Sequence, residues 1–184
     1  MLFRSPATGA PAAPPPLQMV MWSTGFQDGG VIPVKFSQAA PGAAPGEGTS
    51  PPLAWTNVPN GTRTFLLHMH DLEGARNRTT EDQLHWLVWN IPAASRGIAE
   101  GQPKGAKLPD GSFQVSATGQ VYRGPGAGAN GPYHHYTFEI FALDTEITVE
   151  PEADVFVTRA KVLAAAQGHV LGKAVYMGLF RRAN

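Results

Sequence analysis

The sequence predicts a mainly β protein with one helix late in the chain, and three observations carry that expectation. Gly and Pro number 21 and 17 among 184 residues, well above usual usage, and they fall between short apolar runs as turns fall between strands. The runs themselves are rich in β-branched and aromatic residues, which suit a pleated, half-buried surface. Only one stretch carries the alanines and end signals of a convincing helix.

Taken in order, Met1 to Pro16 holds Arg4 but is interrupted by Pro6, Pro11, Pro14, Pro15 and Pro16, where a signal peptide would need a continuous apolar stretch. A disordered Pro/Ala-rich arm is expected over 1–16, followed by a single domain over 17–184. Phe65 to Met69 reads as a buried strand, and His85-Trp86-Leu87-Val88-Trp89-Asn90-Ile91 as another, stopped by Pro92. Tyr136 to Leu143 is a third strand and Ala174 to Phe180 a fourth. The helix is the run Arg159 to Gln167, with Thr158 as its cap and Gly168 where a left-handed residue ends it. Gln38 to Pro52 and Gly101 to Pro132 are long and turn-rich, and segments of that length in a compact domain are often functional or mobile.

Composition narrows the function classes. A chain of this length buries roughly 70% of its unfolded surface in one core. Fourteen basic and fourteen acidic residues give a net charge of zero, so no bulk field attracts nucleic acid or an anionic membrane. Anion recognition must be local. The absence of cysteine removes disulfides, zinc thiolate sites and thiol nucleophiles. No uninterrupted apolar run reaches the roughly 18 residues of a membrane span, so a soluble protein, cytoplasmic or periplasmic, is expected.

Strand alternation then selects which polar side chains can meet. Tyr136, Phe138 and Ile140 share one face, and the same alternation places His134 beside Tyr136 while His135 points away. Asp71 falls on the face of Phe65, Leu67 and Met69, with His68 and His70 on the other. His85 is expected to share its face with Leu87, Trp89 and Ile91, leaving Trp86 opposite. A carboxylate at the end of an apolar strand needs a hydrogen-bond donor, and either His85 or His134 can supply it. Such a contact would raise the imidazole pKa and leave its outer nitrogen to donate to an oxyanion. His68 and His70 have the spacing of a zinc pair, but no third ligand on that face can be named, so no metal is expected. Ser50, Ser112 and Ser116 lie in no nucleophile elbow and have no assignable base.

Several short pieces, in order, resemble the phosphatidylethanolamine-binding protein family in its bacterial, Raf kinase inhibitor-like branch. They are Gly25-Phe26-Gln27-Asp28-Gly29-Gly30-Val31-Ile32-Pro33, Ser50-Pro51-Pro52-Leu53-Ala54-Trp55 and His85 through Pro92, followed by Gly124-Pro125-Gly126, His134-His135-Tyr136, Ala142-Leu143-Asp144 and Gly168-His169-Val170-Leu171. The resemblance implies two antiparallel sheets packed as a β-sandwich, small peripheral helices including one near the C-terminus, and a shallow anion pocket. It assigns the pocket to Asp71, Glu73, His85, Gly126, His134 and Tyr136. Asp71 and Glu73 match the two aspartates of the family's Asp-Pro-Asp-Ala-Pro segment, His135 replaces the arginine of its His-Arg-Tyr triplet, and Gly126 matches a glycine that lends backbone to the pocket. Here the aspartate segment reads Asp71-Leu72-Glu73-Gly74-Ala75 and lacks both prolines, and Ala127-Gly128 replaces the usual Pro-Pro.

The expected function is binding of phosphate or a phosphorylated head group, without a cofactor and in a modulatory, kinase-inhibitor-like role toward an unknown protein partner. Two alternatives remain: a small acid–base enzyme, hydrolase or lyase, using His85, Asp71 and His134, and a protein-interaction module whose pocket is vestigial.

Overall fold

The computed structural model describes residues 18–183, so the arm expected over 1–16 lies outside the described residues. Nine strands and one α-helix form: β1 (Val20–Trp22), β2 (Gly30–Val31), β3 (Leu53–Thr56), β4 (Thr64–Asp71), β5 (Gln83–Pro92), β6 (Gly97–Ile98), β7 (Phe113–Val115), β8 (His134–Leu143), α1 (Val155–Ala166) and β9 (Val170–Phe180). A three-stranded sheet runs β1-β3-β6 and a six-stranded sheet runs β2-β9-β8-β4-β5-β7. All pairings are antiparallel except the short β2–β9 pair. The four strands expected from sequence are thus the four long strands of the large sheet, which the short β2 and β7 edge, and β1, β3 and β6 add a second sheet over it.

Each face of the large sheet buries its own core. Phe65, Leu67 and Met69 of β4 join Trp86, Val88 and Ile91 of β5 and Phe138 and Ile140 of β8 beneath the small sheet, where Trp55 of β3 packs on Phe65 with ring centroids 5.1 Å apart. On the other face Leu66, Leu87, Trp89 and Leu143 meet Val162 and Ala166 of α1. Buried aromatic and aliphatic side chains on both faces explain why the central strands read as continuous apolar runs.

Two details depart from the sequence expectation. The helix begins earlier, because Asp154 caps it by accepting from the amides of Phe156 and Val157. Thr158 is instead buried in the first turn, where its hydroxyl donates to the Asp154 carbonyl and accepts from the amide of Glu152. The helix still ends as expected, with Gly168 at φ +81° just beyond it.

The second departure is in β5. Met69 pairs with Trp86 but the next residue, His70, pairs with Leu84, so His85 is an extra residue, and a further register shift lies between Phe65 and Leu67. These bulges break strict alternation. Trp86, Val88 and Ile91 therefore face the small sheet, whereas Leu87 and Trp89 face α1. His85 does not share the Leu87 and Trp89 face; the bulge turns it toward Tyr136, whose ring it meets edge-on at 5.0 Å.

Outside β7, the long segments around 38–52 and 101–132 are tied down by side chains that bond backbone. Gln114 Nε2 donates to the carbonyls of Pro103 and Gly105, and Thr118 Oγ1 to that of Gly46. Tyr122 Oη donates to Phe36 O at 3.0 Å. No helix among the described residues is long and apolar enough to cross a membrane.

Candidate functional site

At one end of the large sheet the register places Asp71 of β4 directly opposite Tyr136 of β8. His134 is two residues before Tyr136 on the same strand, and the β5 bulge delivers His85. Together they line a cavity of about 350 Å³ with Gln38, Arg123 and Gly126. Alternation alone explains His134: His135 turns outward, where its backbone N–H and Nδ1–H donate to Glu73 at 2.7 and 2.6 Å.

The Asp71 carboxylate, buried at the strand end, finds its donors nearby. His134 Nδ1–H donates to its two oxygens at 2.9 and 3.1 Å, and the amide of Glu73 donates at 3.0 Å. His85 Nε2 lies 4.0 Å away, too far for a hydrogen bond. Of the two possible partners, the fold chooses His134.

His85 is instead bracketed by backbone. Its Nδ1–H donates to the Arg123 carbonyl at 3.0 Å, and its own carbonyl accepts from the Arg123 amide at 3.0 Å. This fixes the tautomer: in the neutral ring Nε2 carries a lone pair toward the cavity. Burial pushes the imidazole down to about 4; the Arg123 charge acts the same way, and the carbonyl bond and Asp71 offset it only in part. The expected upward shift does not occur, because Asp71 is paired with His134 and too distant to outweigh desolvation.

Tyr136 is fully buried, and its oxygen accepts from the amides of Gly126 and Ala127 at 3.1 and 3.2 Å. Burial and the Asp71 charge hold the phenol protonated, well above its ordinary pKa. The Gly126 amide is therefore engaged with Tyr136 and does not point freely into the cavity. A Cβ at Gly126 would stand 2.5 Å from the Gln38 side-chain amide, so any larger residue there displaces Gln38 from the rim. Gln38 in turn donates to the Gly124 carbonyl at 2.7 Å, tying the two long loops together at the rim. Glu73 is not among the lining residues: its carboxylate accepts from His135, although one of its oxygens stays within 4.8 Å of ligand atoms of Asp71 and His134 at the rim.

Arg123 is the group that sequence reasoning missed. It lines the cavity, its Nε is buried without a hydrogen-bond partner, and burial lowers its pKa while the nearby Tyr136 and Asp71 favour the cation. A guanidinium remains charged across the working pH range. The available signal was a lone arginine directly before Gly124-Pro125-Gly126. Nothing in strand periodicity points to it, since it lies outside every strand.

Comparison with known proteins accords with this architecture. Residues 22–181 match the family described as phosphatidylethanolamine-binding protein. A UPF0098 protein of Methanothermobacter thermautotrophicus is 38% identical over 159 residues, covering 85% of this chain and 95% of the relative. Another of Aquifex aeolicus is 31% identical over 166 residues, covering 89% of each chain. Among solved structures, a phosphatidylethanolamine-binding protein homologue from Chlamydia trachomatis superposes with a TM-score of 0.72 at 26% identity, covering 90% of this chain and 98% of its own. Escherichia coli YbcL gives 0.71 at 24% identity, covering 90% and 99%, and supports the fold.

Proposed function

The chain belongs to the phosphatidylethanolamine-binding protein family, and from that membership we propose that its cavity binds phosphate or a phosphorylated small molecule such as a lipid head group. The observation that carries the reading is Arg123, half-buried in the cavity wall with its Nε buried and unpartnered, beside His85, His134 and Tyr136. A half-buried guanidinium whose buried Nε has no acceptor lacks a hydrogen-bond partner, and an oxyanion supplies it.

In this reading each group has a distinct part. Arg123 supplies a charge that does not depend on pH, and the Tyr136 hydroxyl, whose oxygen already accepts two amides, has a proton that a ligand shares with the neighbouring Asp71 carboxylate. His134 is oriented by Asp71, so its Nε2 is the atom presented to a ligand. His85 Nε2 is a bare acceptor in the neutral ring and therefore meets an oxyanion only with a proton between them. That proton arrives on the imidazole or on the phosphate itself.

Ligand binding is accordingly coupled to proton uptake. The empty site holds His85 near pKa 4, and a bound anion raises it, so affinity falls as pH rises between the two values. The slope is at most about tenfold per pH unit. The reading is of a binder with a modulatory role. An enzyme using His85 as base toward a small substrate is the second reading, favoured by its neutral ring and free Nε2.

Calorimetry of the purified protein with inorganic phosphate and with glycerophosphoethanolamine at pH 6 and pH 8 tests the proposal. Binding at pH 6 that weakens at pH 8, and that Arg123→Gln reduces by about ten- to a hundredfold, is the expected result. Binding of phosphate alone assigns a free-anion site, and tighter binding of the diester assigns a head-group site. No heat with either ligand, or affinity indifferent to Arg123→Gln, contradicts it. Turnover of generic esters abolished by His85→Ala would replace it with the enzyme reading.

A further inference from the structure

The face of β4 opposite the cavity carries a second cluster that the anion reading does not use. His68 and His70 stack with ring centroids 4.4 Å apart and planes 7° from parallel. Glu139 of β8 stands directly across from His68 in the sheet register. One ligand atom from each of the three residues lies within 4.8 Å of the others. The third ligand, which could not be named from spacing along one strand, is supplied by the neighbouring strand.

The geometry within the cluster is unlike a finished hydrogen-bond network. Glu139 Oε2 is 3.4 Å from His70 Nε2 and 3.8 Å from His68 Nδ1, and neither pair meets hydrogen-bond geometry. Both spacings exceed, the first only slightly, the roughly 3.3 Å edge of a tetrahedral zinc site with bonds of about 2.0–2.1 Å. The Nε2 atoms of His68 and His70 are buried without any hydrogen-bond partner, and the His68 side chain is only 8% exposed. Buried imidazole nitrogens left without partners are rare enough to require an explanation.

A carboxylate already occupies the outer position behind one ring. His70 Nδ1–H donates to Asp82, whose other oxygen accepts from Arg159 at 2.7 Å. In the neutral ring this carboxylate–imidazole pair leaves Nε2 as the lone-pair nitrogen on the Glu139 side, the arrangement that orients histidine ligands in metal sites, and an ion binds there by displacing the ring's second proton. Lys173 pairs with Glu139 through Oε1, so Oε2 remains available. The two cations moderate the affinity and balance the two carboxylates.

We propose that His68, His70 and Glu139 bind a divalent transition-metal ion of the zinc class, with Asp82 as the outer-shell partner of His70 and a fourth coordination position open to water. The proposal is independent of the anion site. It concerns the opposite face of the sheet.

Chelator-stripped protein titrated with zinc chloride, with histidine side-chain NMR and calorimetry in parallel, tests it. One ion per chain, with ring resonances of His68 and His70 shifting while His85 stays in place, is the expected result. Glu139→Gln and His68→Asn should each weaken zinc binding at least tenfold, and Asp82→Asn by about ten- to a hundredfold. His134→Ala should leave it unchanged. Because the NMR readout uses the unaltered chain, a variant that fails to fold does not decide the outcome. No binding at about millimolar zinc contradicts the proposal. So does binding that shifts His134 and survives Glu139→Gln, which would place the ion among Asp71, Glu73 and His134.

Discussion

Opposite faces of one strand pair carry two histidine clusters, and the fold gives them opposite electrostatics. On the cavity face His85 is buried against backbone, with its nearest carboxylate 4.0 Å away, and burial drives it down to about 4. On the helix face burial also opposes charge on His70, but its hydrogen bond to Asp82 and the attraction of the Asp82 and Glu139 carboxylates outweigh it and push the ring up to about 9. His68, its stacked neighbour, lacks Asp82 as a bonded partner and is lowered by burial. Desolvation alone does not set a buried histidine's charge. The decisive quantity is whether a carboxylate is close enough to bond it.

The contrast is most severely broken at Glu139. Its carboxylate is held well below the ordinary range by the close His68 and His70 imidazoles and by the ion pair with Lys173, against the opposing effect of burial. Glu139→Leu leaves the His70 and Lys173 charges with less compensation, so unfolding in urea at pH 7 should show a loss of about 4 kcal/mol.

Acid and alkali should then separate the two faces. The unfolded pKa of His85 is near 6.5 and its folded value about 4, so the unfolded chain binds more protons between them and stability falls as pH drops from 6.5 toward 4. The loss is on the order of 3 kcal/mol. His70 has the reverse sign: its folded value of about 9 lies above 6.5, so its contribution is complete below 6.5 and is lost as pH rises through 9. Urea midpoints against pH, in chelator, should therefore fall on both sides. His85→Asn should flatten the acid limb and His70→Asn the alkaline one.

A smaller effect belongs to the cavity wall. Tyr136→Phe removes the oxygen that accepts from the amides of Gly126 and Ala127. Two stranded donors should cost about 2 kcal/mol in thermal unfolding and weaken phosphate binding together. Smallest is the helix cap: Asp154→Ala should cost about 1 kcal/mol, with phosphate affinity unchanged because α1 lies over the other face.

The same contrast shows what sequence could and could not reveal. His134, Tyr136 and Asp71 follow from alternation because β4 and β8 pair without a register shift over that stretch. His85 is legible as a candidate partner of Asp71 from its place at the start of an apolar run, but alternation puts it on the wrong face because a bulge is a property of pairing with β4, invisible in β5 alone. Arg123 was hidden in an irregular loop, where no periodicity constrains side-chain direction. Glu139 reads as one more polar residue of an alternating strand until register places it beside His68. Asp154 and Thr158 are both good caps, and the first-turn burial of Thr158 decides between them.

The most direct test of the anion site is a phosphate titration at pH 6 followed at the histidine rings of the unaltered protein. The account predicts saturable shifts at His85 and His134, with His85 Nε2 taking on the signature of a hydrogen-bonded or protonated nitrogen, while His68 and His70 remain unmoved. Absence of any shift at His85 and His134, or an equal response on both faces, would contradict it.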